Sequence, residues 1–389
     1  MKKNAFAPRV PALAVLLAAL PVLAAAEAPP LLDRELFFGN PEIAAAQISP
    51  DGRHVVFLKP WKDTRNLWVK KTEEPYAAAR LLTTEEKRPI PAFFWSNDSR
   101  QVLFVKDKDG DENFNVYAVD LTAAPAAGQQ APAARNLTDA KGARALIYAL
   151  PKSDPDALFV GLNDRDPAWH DLYKVKLSTG ERTLLRKNTE RVAVWVFDLV
   201  GQLKLALRTT DAGDTEVLRV DADALTKVYS CTVFETCGPI QYHRDGARVY
   251  MRTNKGDTDL VRLVLFDPAS GREEVVESDP LKRVDLDDAI FSKKTDELLA
   301  TTYEDDRVRI YFRDAALEAD YRWLQRQRPG LDLVVGSKTA DDMRLFITAS
   351  SDTEPGESFI FDRAGRRILP QYTFRERLPR RHLATMKAI

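Results

Sequence analysis

The sequence predicts an all-β fold, a seven-bladed β-propeller of four-stranded blades with one helical insertion near residues 314–328. Three observations carry this reading. A turn that runs straight into a strand, Ile48-Ser-Pro-Asp-Gly-Arg-His-Val-Val-Phe57, returns in altered wording. Its later forms are Trp95-Ser-Asn-Asp-Ser-Arg-Gln-Val-Leu-Phe104, His243-Arg-Asp-Gly-Ala-Arg-Val-Tyr-Met251 and Lys293-Lys-Thr-Asp-Glu-Leu-Leu299. The first strand residue after each turn recurs at Val55, Val102, Leu158, Leu203, Val249, Leu298 and Leu345, in steps of 47, 56, 45, 46, 49 and 47 residues. Period-2 runs bounded by turn residues fill the intervals. A repeat of about 50 residues has the size of a four-stranded blade. The alternative is a β-sandwich or two stacked β domains, and six near-equal steps weigh against it.

Taken in order, the chain opens on a segment unlike the rest. Lys2 and Lys3 precede an apolar stretch over 13–23 and the small residues Ala24, Ala25 and Ala26. That is the pattern of a secretory signal peptide over 1–26, cut after Ala26, and it predicts a secreted or periplasmic protein without a membrane anchor after cleavage. The apolar stretch is short for an uncleaved anchor of ~20 residues, which is the other reading. The propeller is expected over 27–375.

Each blade opens with turn chemistry. In Ser49-Pro-Asp-Gly52 proline fixes one φ, aspartate bonds its own backbone, and glycine takes positive φ. The strand that follows is β-branched or aromatic, as at Val55, Val56 and Phe57. A second strand follows in most units, as in Asn66-Leu-Trp-Val69, Phe114-Asn-Val-Tyr-Ala-Val119 and Asp171-Leu-Tyr-Lys-Val175. A third place is filled by Arg80-Leu-Leu-Thr83, Arg135-Asn-Leu-Thr138 and Thr183-Leu-Leu185. The fourth unit keeps the spacing without the wording, at Phe197-Asp-Leu-Val-Gly-Gln202. Residues 123–134, rich in Ala, Pro, Gly and Gln, are an excursion between strands that accounts for the one long step. Over 314–328, Leu317, Tyr321 and Leu324 fall at helical spacing behind Asp314 as a cap, and Pro329-Gly330 stops the helix. Within a propeller such a helix belongs on a rim or mouth.

Composition sets limits on function. The 389 residues are 44% hydrophobic and 30% charged, ordinary for a globular protein. Removing 1–26 takes the formal net charge from −1 to −4. The charges are interspersed, so no nucleic-acid partner is expected. The two cysteines, Cys231 and Cys237, are candidates for a structural disulfide permitted by export, with two free thiols as the alternative. Four scattered histidines offer no zinc spacing. Asp107-Lys-Asp-Gly-Asp-Glu112 lacks the spaced ligands of a calcium loop and reads as a hairpin turn. No metal and no cofactor are expected.

The stretch from Gly336 to Asp362, with Ser337, Asp342, Asp352, Pro355-Gly356, Phe359 and Asp362, resembles the closing propeller blade of the prolyl oligopeptidase family of serine peptidases. The likeness is greatest to its acylaminoacyl-peptidase and dipeptidyl-aminopeptidase branches. Pro329-Gly330, Asp111-Glu-Asn-Phe114 and Asn163-Asp-Arg-Asp-Pro-Ala-Trp-His-Asp-Leu-Tyr173 fit the same family. The resemblance covers roughly residues 31–389. It implies a propeller that caps an α/β-hydrolase domain and admits short peptides to a Ser-Asp-His triad. It also implies that Glu112 and Asn113 pin neighbouring loops together. The nucleophile elbow Gly-x-Ser-x-Gly does not occur in the sequence; the nearest string, Gly356-Glu-Ser-Phe-Ile360, lacks the second glycine. No catalytic residue is therefore assigned. Residues 376–389 read as a basic tail, or the start of a linker to a hydrolase domain not contained in the sequence, with His382 on solvated surface.

Arg165 and Trp169 are the candidates for a substrate or partner contact at a propeller mouth, because an exposed turn of Arg, Pro, Trp and His suits a peptide carboxylate or carbonyl, or a partner domain. The bland reading pairs Arg165 with Asp164 or Asp166 and packs Trp169 between blades. Three functions are compatible with these features. One is the substrate-gating part of an exported peptidase whose hydrolase domain is encoded separately, so that this chain alone is inactive. The second is a stand-alone periplasmic propeller that binds a peptide or protein ligand. The third, chemistry in the propeller funnel, has scattered carboxylates alone behind it.

Overall fold

In the computed structural model the described residues are 30–387, apart from 223 and 257. The expected signal peptide and its cut after Ala26 lie outside them. Seven antiparallel sheets follow one another along the chain, over 44–81, 92–136, 145–186, 192–231, 237–277, 286–312 and 332–373. In each sheet the strands are neighbours in sequence order, so every blade is a simple meander. First strands of adjoining blades touch one another, Ala44–Ile48 with Asp332–Lys338 and Ala145–Ala149 with Val192–Phe197. First strands therefore ring the axis. Fourth strands form the rim, and Arg182–Arg186 is exposed accordingly.

The seven residues from Val55 to Leu345 that mark the repeat fall on the second strand of each blade, not the first. The first strand precedes the turn. Arg80-Leu81 and Arg135-Asn136 are correspondingly fourth strands rather than third. Second and third strands are packed on both faces by neighbouring blades, so their apolar residues run on without alternation, as at Val55, Val56 and Phe57, all fully buried.

The turn chemistry is close to what the sequence indicates. Ser49 Oγ donates to Asp51 Oδ1 (2.5 Å) and accepts the His54 amide (3.0 Å), while Gly52 sits at φ +74°. Ser96 and Asp98 repeat this in blade 2, and Thr339 and Asp341 in blade 7. In blade 4 the worn wording hides the same turn: Asp198 Oδ1 accepts the Val200 and Gln202 amides, and Gly201 has φ +79°. Aspartate there does the work of the serine.

A second repeated device fixes the start of the third strand in blades 1 and 2. Asn66 Oδ1 accepts from Thr83 Oγ1 and the Glu85 amide, and its Nδ2 donates to the Thr64 and Glu85 carbonyls. Asn115 does the same with Thr138, Ala140 and Ala143. Both asparagines are buried, and each fastens the connection that leads to the next blade.

Blade 6 differs. Among the described residues it has three strands, and the helix Ala315–Gln327 follows where a fourth would lie. Asp314 caps the helix by accepting the Leu317 amide at 2.6 Å. Leu324 is buried against Leu333, Leu345 and Phe359 of blade 7, Trp323 stacks on Phe361, and Asp320 pairs with Arg363 at 2.6 Å. The helix is thus a wedge between blades 6 and 7. No helix among the described residues is long and apolar enough to cross a membrane.

The ring closes between blades 7 and 1 without a shared sheet. The Ile48 amide donates to Ser337 Oγ (3.0 Å) and the Ala340 amide to the Pro50 carbonyl (2.8 Å). Ile48, Val55 and Phe57 pack against Phe346 and Ile360. Tyr76 lies edge-on to both Phe57 and Tyr372. The residues at and beyond the expected end of the propeller are held to this seam rather than solvated: Arg375 donates to the Leu36 and Gly39 carbonyls, Leu378 is buried, and Arg380 pairs with Glu354. Carbonyls left free by irregular backbone take the arginines in.

Candidate functional site

A four-stranded meander begins and ends on the same side of the ring. The Ser-Pro-Asp-Gly type turns therefore lie on one face. The opposite face collects the turns between second and third strands, the connections between blades, and the terminal segments 30–43 and 374–387. We call these the turn face and the end face.

Arg165 and Trp169 lie on the end face, on the hairpin formed by Ala157–Asp166 and Trp169–Lys176. The register sets Leu162 opposite Asp171, and the irregular tip beyond it brings Arg165 back onto Asp171 rather than Asp164 or Asp166. Arg165 Nε and Nη2 donate to the two Asp171 oxygens, each at 2.7 Å, and Nη2 also reaches the Asn188 carbonyl at 3.1 Å. The Asn188 amide donates to Asp171 at 2.7 Å. Arg165, beside it, holds the Asp171 carboxyl below the usual carboxylate range. Arg165 thus clamps the connection into blade 4. Trp169 is half-buried, with the Arg191 guanidinium 5.7 Å from its ring centroid, and Arg191 in turn pairs with Asp211. Asp171 and Asn188, which organise this corner, were not singled out from sequence. The signal was the Asn66, Asn115, Asp171 series at the head of the third strands of blades 1, 2 and 3.

Cys231 and Cys237 are joined, with Cα atoms 6.0 Å apart, across the connection from blade 4 to blade 5. The enclosed turn is braced on every side. The Glu235 amide donates to the Thr232 carbonyl, the Val233 amide to Asp214 Oδ1 and the Thr236 amide to Asn254 Oδ1. Phe234 at its tip is 92% exposed. Glu112 and Asn113 bond within their own turn; neighbouring loops are instead pinned by Arg88 to Asp107 and Lys87 to Asp109.

Around the axis, the first strands leave Val194, Val334 and Val335 exposed, together with Asp287 and Asp288. A lining of valine and carboxylate suits an extended chain with apolar side chains and a positive end. Ser358, the nearest approach to a nucleophile, is buried mid-strand with its hydroxyl 3.1 Å from Thr348 Oγ1. The described residues contain no group of His, Cys, Asp and Glu that could hold a metal ion.

No family model matches the sequence. Dipeptidyl aminopeptidase BIII of Pseudoxanthomonas mexicana is 32% identical over 351 residues, which is 90% of this chain and 49% of that protein. Dipeptidyl peptidase family member 6 of Caenorhabditis elegans is 23% identical over 350 residues, 86% of this chain and 46% of that protein. Among solved structures, prolyl oligopeptidase B from Galerina marginata superposes with a TM-score of 0.58 at 12% identity, covering 88% of this chain and 52% of its own. Puromycin hydrolase gives 0.55 at 14% identity, covering 89% and 56%. The structural likenesses speak to the fold. The chain spans about half the length of the curated relatives it matches. That half is a seven-bladed ring, and over it the chain is homologous to the β-propeller portion of prolyl oligopeptidase-type peptidases.

Proposed function

We propose that this propeller is the non-catalytic, substrate-gating part of an exported serine peptidase of the prolyl oligopeptidase type. The observation that carries the reading is the match to dipeptidyl aminopeptidase BIII, which spans 90% of this chain but 49% of the relative. The end face supports it, since both terminal segments lie there and a hydrolase domain would meet the channel on that side. Trp169 and Phe234 are the contacts this reading offers to a partner or peptide, and Arg165 holds Trp169's hairpin in place. The genomic sequence downstream is the test. Downstream sequence encoding Gly-x-Ser-x-Gly is expected, in the same frame or a neighbouring one, and peptidase activity should appear when the propeller and that domain are present together. Downstream sequence with no hydrolase remnant would overturn the proposal.

A stand-alone propeller that binds a periplasmic peptide or protein is the second reading. The braced Cys231–Cys237 turn favours it, because a rigid, fully exposed phenylalanine is a ready anchor for a partner. Capture of one partner by the native protein, lost in Phe234→Ala, supports this reading; capture unaffected by that change counts against it.

A further inference from the structure

The turn face carries a contact that skips blades. Lys152 belongs to the turn between the first two strands of blade 3, and its Nζ donates to the Lys293 carbonyl at 2.7 Å and pairs with the Asp296 carboxylate. Lys293 and Asp296 belong to the corresponding turn of blade 6. Blades 4 and 5 lie between. A side chain from blade 3 can reach blade 6 only by crossing the axis, so one four-carbon lysine stem spans the channel at this mouth.

Both ends of the span are fixed. On the blade 3 side, Asn97 of blade 2 donates to the Leu150 and Pro151 carbonyls, each at 3.2 Å, and Ser153 Oγ donates to the Val200 carbonyl of blade 4 at 2.7 Å. On the blade 6 side, Asp342 of blade 7 accepts from Ser292 Oγ (2.6 Å) and the Lys293 amide (3.1 Å), and Gln241 of blade 5 donates to the Asp296 carbonyl. The other joints of the turn face link adjoining blades, as where the Asp51 amide donates to Ser99 Oγ.

We propose that Lys152 is a bar across the turn-face mouth, leaving the channel a funnel open to the end face alone. This deepens the gating role proposed above and rests on it: peptides would enter and leave on the side where a hydrolase domain joins. The side chains of Lys152 and Asp296 are 47% and 20% exposed. A pair so open to water contributes little to stability, so its loss changes access rather than folding.

Access is read by thiol labelling. Gly336→Cys places a probe on the exposed side of the first strand of blade 7, toward its turn-face end, where opening that mouth gives a peptide a far shorter route than the one from the end face, and Cys231 and Cys237, being joined, do not compete. The expected result is that Lys152→Ala speeds labelling by a maleimide-tagged pentapeptide several-fold while labelling by iodoacetamide stays the same. Lys152→Arg, which keeps the span, should label as slowly as the parent, and Asp296→Asn should fall between. Equal pentapeptide rates with Lys152 and with alanine would overturn the bar. Labelling needs no catalytic partner, so its failure is distinct from failure of the peptidase reading.

Discussion

Blades 1 and 2 fasten the connection to the following blade with a buried neutral amide, whereas a buried carboxylate and an arginine fasten the connection leaving blade 3 and the one entering blade 6 from blade 5. Asn115 satisfies both its ends within its own loop. Asp279 has no exposed side-chain surface and accepts two bonds from Arg309, at 2.7 and 2.9 Å, plus the amides of Leu281, Arg283 and Val284. Asp171 has the same bidentate arginine and one amide. The neutral clamp loses single hydrogen bonds when cut. The charged clamp leaves an arginine uncompensated when cut, and it answers to pH.

The largest effect should come from the charged clamp. Asp279→Ala is expected to cost about 3–5 kcal/mol in urea unfolding, because it strands a partly buried charge and three amides. Arg309 holds the Asp279 carboxyl well below the usual range, as Arg165 does for Asp171. A depressed folded-state pKa gives stability that is present above about pH 4 and lost as pH falls below it. Asp279→Asn should flatten that acid limb. Asn115→Ala should cost less, about 2–3 kcal/mol, and leave the acid limb unchanged; a changed limb would dissolve the distinction between the two clamps.

Lys70 offers a contrast of opposite sign. It is buried in blade 1 over the Tyr76 ring, and its ammonium donates to the Lys71 and Thr72 carbonyls. Burial pulls it down to about 8. The unfolded chain then holds the proton more tightly than the folded one, so stability should rise between about pH 8 and 10, by on the order of 2 kcal/mol. Thermal midpoints of the parent against Lys70→Met test this, since the variant should show no such rise. The smallest expected effect is at Trp169. Trp169→Ala removes a half-exposed cation–π contact worth less than about 1 kcal/mol, so a loss of partner binding in this variant would report contact rather than unfolding.

The ring was legible because its turns are written in residues with particular backbone needs: proline, aspartate and glycine repeat where φ and the capping bonds repeat. The first strands were not, because they have the axis on one side. Val192–Phe197 mixes buried Val192 and Trp195 with exposed Ala193 and Val194, so it shows no clean period. Leu317, Tyr321 and Leu324 mark a helix over 314–328, but nothing in the sequence marks that it takes the place of a fourth strand in blade 6. The partner of Arg165 was missed because register, not proximity in sequence, decides which aspartate a hairpin presents. Lys152 meets Lys293 at a separation of 141 residues, and no local pattern announces that.

The seam between blades 7 and 1 has one more consequence. Each blade is built from consecutive strands, and Arg375 bonds directly to the carbonyls of Leu36 and Gly39. Joining these two segments by a short linker and cutting the chain at another inter-blade connection, such as 187–191, would leave all seven sheets intact. A circular permutant of that design should fold to the same ring, with the position of its ends free to be chosen.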